Sequence, residues 1–197
     1  MSKIAETYAN SNKFGPRLNL FRDRATIFVH DGFGNILVAP QKASKHKSPY
    51  YLPGGGVYNK ESKLNPIPSN TIIHRGLRKE GLEELGADMS NIKSYGHSYH
   101  EQKMPKSWRR ASKEKRGFKM KGIRHHFRSA EVGDVNPKKY NIHGDSFFKE
   151  NPVWLPIEKV RNDFMSHAQS GNVSKHNKKS LIAHAQFLDS MLNKISQ

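Results

Sequence analysis

Residues 79–87 read Lys-Glu-Gly-Leu-Glu-Glu-Leu-Gly-Ala, and this stretch constrains the chain more than any other. At about 100° per residue, Glu80, Glu83 and Glu84 fall on one helical face, because positions three and four apart are neighbours. Leu77, Leu82 and Leu85 are expected to one side of that face, with Gly81 inside the apolar sector. Three carboxylates on one face repel one another, roughly a few tenths of a kcal/mol for each neighbouring pair. A mid-helix glycine costs about 1 kcal/mol relative to alanine. A bound divalent cation would offset the repulsion, and close packing against a strand or loop would account for the glycine. Hard oxygen donors favour Mg2+ or Mn2+. A solvated acidic face is the plain alternative, less expected in a chain with 34 Lys and Arg against 17 Asp and Glu.

The segments around this helix read as mixed structure. Residues 24–30 (RATIFVH) and 36–40 (ILVAP) are strand-like and flank the turn cluster Asp31-Gly32-Phe33-Gly34-Asn35, so they are expected to form a hairpin. Tyr50-Tyr51-Leu52 is short and apolar and leads into Pro53-Gly54-Gly55-Gly56, a run that lets backbone approach a ligand closely. Ser69 or Asn70 is the expected N-cap of the helix and Gly86 its C-terminal glycine. Strand-like pieces recur near 92–99 and 122–130, and residues 152–156 are extended. Residues 178–195 carry Leu181, Ile182, Ala185, Leu188, Met191, Leu192 and Ile195 at helical spacing. The order predicts one domain over residues 1–197, of α/β or α+β layers, with residues 1–20 as an arm and 178–195 as a closing helix.

Taken together, the glycine run and the acidic helix resemble the Nudix box. That pattern is G, five residues, E, seven residues, then R-E-U-x-E-E-x-G-U, where U is bulky and aliphatic. Gly55 and Glu61 have the five-residue gap, and residues 79–87 match the second half with three departures: Lys79 for arginine, and Gly81 and Ala87 for larger aliphatics. Residues 62–78 form a longer connection than the pattern has, which bears on Glu61 more than on the helix acids. Leu52-Pro53-Gly54-Gly55 and the later Trp154-Leu155-Pro156 also resemble family elements.

The resemblance implies an α/β/α sandwich with a mixed β-sheet. It implies metal-dependent hydrolysis of a phosphoanhydride bond in a nucleoside diphosphate linked to another moiety. Glu80, Glu83 and Glu84 would be the metal carboxylates, with the Gly54 carbonyl as backbone ligand and one of the glutamates as general base. Lys79 would pair with and orient a helix glutamate. A further acid is expected before the tryptophan-containing strand, with Glu150 first, then Asp145 and Glu101.

Net charge is +17, which points to a polyanionic partner. Residues 103–121 hold nine basic side chains and one acid, interleaved with Trp108 and Phe118. As a loop near the site, this insertion would grip substrate phosphates through Arg109, Arg110, Lys115 and Arg116 and stack a base on Trp108; the same composition also suits a solvated loop. The substrates in view are a dinucleoside polyphosphate, a nucleotide sugar or an RNA 5′ end. A non-catalytic RNA-binding module of the same fold is the alternative reading. The absence of cysteine excludes disulfides and thiolate metal sites. Neither His97-x-x-His100 nor His125-His126 makes a clean ligand set, and strand alternation sends His125 and His126 to opposite faces, leaving either to face a substrate. No apolar run reaches the roughly 20 residues of a membrane span, and residues 1–10 lack the apolar stretch of a signal peptide, so a cytoplasmic protein is expected.

Overall fold

The computed structural model describes residues 20–45, 47–57, 67–85, 89, 91–104, 120–132 and 152–195. Eleven elements follow in order: β1 (Leu20–His30), β2 (Asn35–Pro40), β3 (Tyr50–Tyr51), β4 (Gly54–Gly56), α1 (Asn70–Leu85), β5 (Ile92–Lys93), β6 (Tyr99–Lys103), β7 (Met120–Glu131), β8 (Val153–Pro156), α2 (Ile157–Gln169) and α3 (Lys175–Ile195). The expected hairpin forms because Asp31 builds its turn. One carboxylate oxygen accepts the N–H groups of Phe33 and Asn35 at 2.7 and 3.0 Å, and the other accepts the Asn35 amide at 2.6 Å. Gly32 and Gly34 take φ of 79° and 91°, a region side chains disfavour.

The strands join one mixed sheet with the path β3-β2-β1-β7-β5, to which β4, β6 and β8 add as partners of β1, β7 and β2. β1 and β7 run parallel in register from Phe21 opposite Gly122 to His30 opposite Glu131, and the other pairs are antiparallel. Side chains two apart share a face. Ala25, Ile27 and Val29 therefore pack with Leu37 and Ala39 against Ile73, Leu77 and Leu85 of α1. Phe28, Ile36, Val38 and Phe127 pack against α2 and α3 on the other side. The result is the expected α/β/α sandwich.

Several elements differ from the sequence reading. Leu82 is not buried with Leu77 and Leu85; it is 58% exposed. Seven residues of helix turn about 700°, so Glu84 lies within about 20° of Leu77, while Leu82 stands about 140° away. A glutamate thus stands in the buried sector of the helix beside Leu77. Gly81 does face inward, beside Leu77 and Leu85. Helix α2 has no counterpart in the sequence reading, although Ile157, Val160, Phe164 and Ala168 line its buried face. Helix α3 starts before residue 178, capped by Ser174, whose hydroxyl accepts the Asn177 N–H at 3.2 Å. The 92–99 segment splits into β5 and the start of β6. Residues 1–19, Gly86 and most of 103–121 lie outside the described residues. No helix among the described residues is long and apolar enough to cross a membrane.

Between the sheet and α3 lies a seam of histidines. His100 and His125 stand on β6 and β7 with ring centroids 6.0 Å apart, and His184 packs on Phe127 at 4.9 Å and Phe164 at 5.4 Å. Burial, then neighbouring positive groups, holds His125 down to about 3. Burial likewise pulls His184 to about 4, and His100 and His176 are lowered for the same reason. The fixed charges acting on the seam, Arg24 and Lys179, are positive, and each histidine disfavours protonation of its neighbours. Each ring is held below its ordinary value of 6.5, so the stability it confers is complete above that pH and declines as pH falls toward 4. His125 and His184 should each steepen the decline by about 1.4 kcal/mol per pH unit in that window. Thermal midpoints measured from about pH 7.5 to 4.5 should be level at first and drop below about pH 6.5. A midpoint unchanged across that range would show that the seam does not govern stability.

Candidate active site

The glycine run gains its shape from β1. Gly54, Gly55 and Gly56 pair with Thr26, Ala25 and Arg24, and the flanking backbone is fixed by Ile27 N–H to Pro53 carbonyl (3.0 Å) and Val57 N–H to Asp23 carbonyl (3.1 Å). Gly54 has φ 145°, and a Cβ there would lie 2.2 Å from the Ala25 carbonyl oxygen. A Cβ on Gly55 would lie 2.0 Å from Oε1 of Glu80. Both glycines are thus required, one for strand contact and one to admit a carboxylate.

The three helix glutamates have different surroundings. Relative to Leu77, Glu84, Glu80 and Glu83 lie about 20°, 60° and 120° around α1 on the same side, from the buried sector outward. Glu84 is 3% exposed. Its Oε2 accepts the Gly54 N–H at 2.8 Å and its Oε1 accepts the Tyr51 hydroxyl at 3.3 Å. Glu80, half-buried, occupies the space over Gly55. Glu83 lies outermost and meets Lys79 at 3.5 Å, the pairing anticipated for that lysine, which is itself 70% exposed. The atom of Gly54 that meets a glutamate is its N–H, a role absent from the sequence reading, which gave the carbonyl to a metal.

The donor set suits a hard divalent cation in chemistry, since carboxylates and backbone carbonyls are its usual ligands. The Cβ-free space over Gly55, filled by Glu80, puts one such oxygen donor against the turn. Among the described residues no three His, Asp or Glu side chains are drawn together as a ligand group, so Glu80, Glu83 and Glu84 share a flank without converging.

A second polar group lies beside this turn on the same face of the sheet. Asp23 is buried and grips Arg124 through both oxygens at 2.8 and 2.7 Å, with His126 Nε2 2.8 Å from the same carboxylate. Tyr99 packs on His126 at 5.4 Å and is 39% exposed. Burial and a hydrogen bond to Glu101 raise its phenol to about 12. Register sets Gly55, Ala25, His126 and Tyr99 in one row across β4, β1, β7 and β6. His125 points to the α3 side and His126 to the α1 side, as alternation requires. Tyr51, Asp23 and Arg124 have no counterpart as site residues in the sequence reading, which considered His126 only as one of two adjacent histidines that could face a substrate. Period-two alternation marks Tyr51, whereas the cluster depends on the β1–β7 pairing. Glu101, one of the acids considered as an extra ligand, is exposed on β6 opposite Arg124. Glu61, Glu150, Asp145, Trp108, Arg109, Arg110, Lys115 and Arg116 lie outside the described residues.

The two glycines should respond differently to alanine. Gly54→Ala drives a Cβ into strand backbone at a φ unsuited to it, and should lower unfolding free energy by at least about 2 kcal/mol. Gly55→Ala meets only the end of a flexible side chain and should unfold within about 1 kcal/mol of wild type. Urea unfolding distinguishes them; equal losses would contradict this geometry.

No protein-family model and no curated protein matches this sequence. Solved structures do resemble the fold. A candidate NUDIX hydrolase from Listeria monocytogenes superposes with a TM-score of 0.50 at 11% identity, over 89% of this chain and 94% of that one. The E. coli ORF135 protein gives 0.49 at 15% identity over 91% and 94%, and a MutT protein from Methanosarcina mazei Go1 gives 0.46 at 14% over 89% and 97%. At such identities the likeness is one of fold, and the α/β/α sandwich described above is a NUDIX-like fold.

Proposed function

We propose that this protein is a divalent-cation-dependent pyrophosphohydrolase that cleaves a phosphoanhydride bond in a nucleoside diphosphate linked to another moiety. The observation that carries the reading is the seating of Glu80 over Gly55 while Glu84 holds the Gly54 N–H. Together these set carboxylate oxygens against the glycine turn, where a cation held between them would draw phosphate oxygens. Glu80, Glu83, Glu84 and the Gly54 carbonyl are the groups that would hold Mg2+ or Mn2+. Bound there, the cation would screen phosphate charge and acidify a water for attack at phosphorus. Glu84 fastens helix to turn through the Gly54 N–H and the Tyr51 hydroxyl. Glu83, 34% exposed, is within reach of solvent and can leave Lys79 for an ion.

The row from Gly55 to Tyr99 crosses three strand spacings, about 14 Å, the scale of an extended nucleoside diphosphate. Diphosphate at the turn therefore sets the nucleoside over the sheet, where the Tyr99 ring offers a stacking surface and the Asp23–Arg124 pair lies beneath. The bidentate pair neutralises Arg124, so this end of the site is suited to a base or sugar rather than another phosphate.

Turnover of nucleoside diphosphate derivatives should require Mg2+ or Mn2+ and vanish in excess EDTA. Glu80→Gln, Glu83→Gln and Gly55→Ala should each reduce kcat at least tenfold, or about 1.4 kcal/mol, in folded protein. Tyr99→Ala should raise KM with a smaller change in kcat, because stacking acts alike in ground and transition states. Undiminished turnover in metal-free protein, or wild-type kcat in all three site variants, would rule the reading out.

A further inference from the structure

A lysine-rich surface lies outside the candidate site, where the loop between β2 and β3 meets the start of α3. The loop is tightly held. Ser44 and Lys47 exchange backbone hydrogen bonds, each 3.2 Å, and the His167 Nε2–H donates to both of their carbonyls, at 3.2 and 3.1 Å. The Ser174 N–H donates to the Lys45 carbonyl at 3.3 Å, which joins the loop to the residue that caps α3. Lys42, Lys45 and Lys47 stand exposed on this loop, and Lys175, Lys178 and Lys179 stand exposed on the first turns of the helix that it joins through Lys45.

None of these six lysines has an ion pair among the described residues. The sequence has no Asp or Glu from 32 to 60 or from 164 to 188, so neither element supplies a neutralising partner. Lys175 has like charges three and four residues on, and all three helix lysines oppose the positive end of the helix dipole. A rigid scaffold that gathers uncompensated charge, against local stability, is suited to a partner that supplies many negative charges.

We infer that this loop and the first turns of α3 form a surface that binds the phosphodiester backbone of a polynucleotide. Flexible ammonium groups meet repeated phosphates without reading sequence. An anionic membrane fits less well. The exposed large apolar side chains among the described residues are Phe33, Ile67, Leu82, Tyr99 and Val153, none of them on this surface, so nothing here would enter a bilayer.

The test is fluorescence anisotropy of the full chain with a labelled single-stranded RNA of about 20 nucleotides, longer than one binding site. EDTA is present, so binding is read apart from any turnover, and salt is varied from about 50 to 200 mM. Changing all six lysines to Gln should flatten the slope of log affinity against log salt by about 0.7 per lysine engaged, about four in all. Changing all six to Arg should restore wild-type binding. Lys42→Gln, Lys45→Gln and Lys47→Gln together should flatten the slope by about two, and this loop variant decides the matter if the six-site variant does not fold. An unchanged slope in the Gln variants would place RNA binding elsewhere and overturn the inference. So would wild-type protein that binds phosphatidylserine vesicles but not RNA.

Discussion

The hydrogen bond from the Gly54 N–H to the buried Glu84 carboxylate, 2.8 Å long, is the contact on which the site depends. A carboxylate inside a helix–sheet interface is tolerated only with partners. The Gly54 amide and the Tyr51 hydroxyl are among those of Glu84, and charge-assisted bonds of this kind are stronger than neutral ones. They fasten α1 to β4 at one depth and one rotation. Gly54 then lies flush against Ala25, and Gly55 turns its bare Cα toward Glu80. The spacing of the acids does the rest: Glu84 points in, Glu80 meets the turn, and Glu83 stands at the rim.

The sheet distributes chemistry between its two faces. The parallel pairing of β1 and β7 sets Asp23 beside Arg124 and Ala25 beside His126 on the α1 side. On the opposite side the same strand carries His125 into the seam under α3. Adjacent histidines in one strand therefore serve unrelated environments. His126 is held by a carboxylate, and His125 is kept neutral by burial among positive groups. The lysine surface follows a similar economy of local structure: backbone and ring hydrogen bonds fix the loop and leave its charges outward.

Much of this was legible in sequence because it is local. The hairpin follows from Asp31 and its two glycines, and the start of α1 from Ser69, whose carbonyl accepts the Ile73 N–H at 3.0 Å. The layered fold and the shared flank of Glu80, Glu83 and Glu84 came from periodicity and the Nudix-box resemblance. Helix α2 was legible too but was masked by Pro156, which reads as the end of an extended piece although proline commonly precedes a helix. Leu82 lies on the leucine side of α1, but at about 140° from Leu77 it reaches solvent, while Glu84 at about 20° turns inward. The Asp23–Arg124 pair joins residues 101 apart in sequence, and no local pattern reveals which strands will be neighbours.

The claim that Glu84 anchors the turn is tested most directly by amide hydrogen exchange at Gly54, followed by NMR in wild-type protein and in Glu84→Gln. In wild type the Gly54 N–H should exchange as slowly as the paired amides of β1. In Glu84→Gln, where the charged acceptor is replaced by a neutral one, it should exchange at least tenfold faster, a difference of about 1.4 kcal/mol in opening. Equal exchange at Gly54 in the two proteins would contradict the account, because the turn would then be held by the sheet alone.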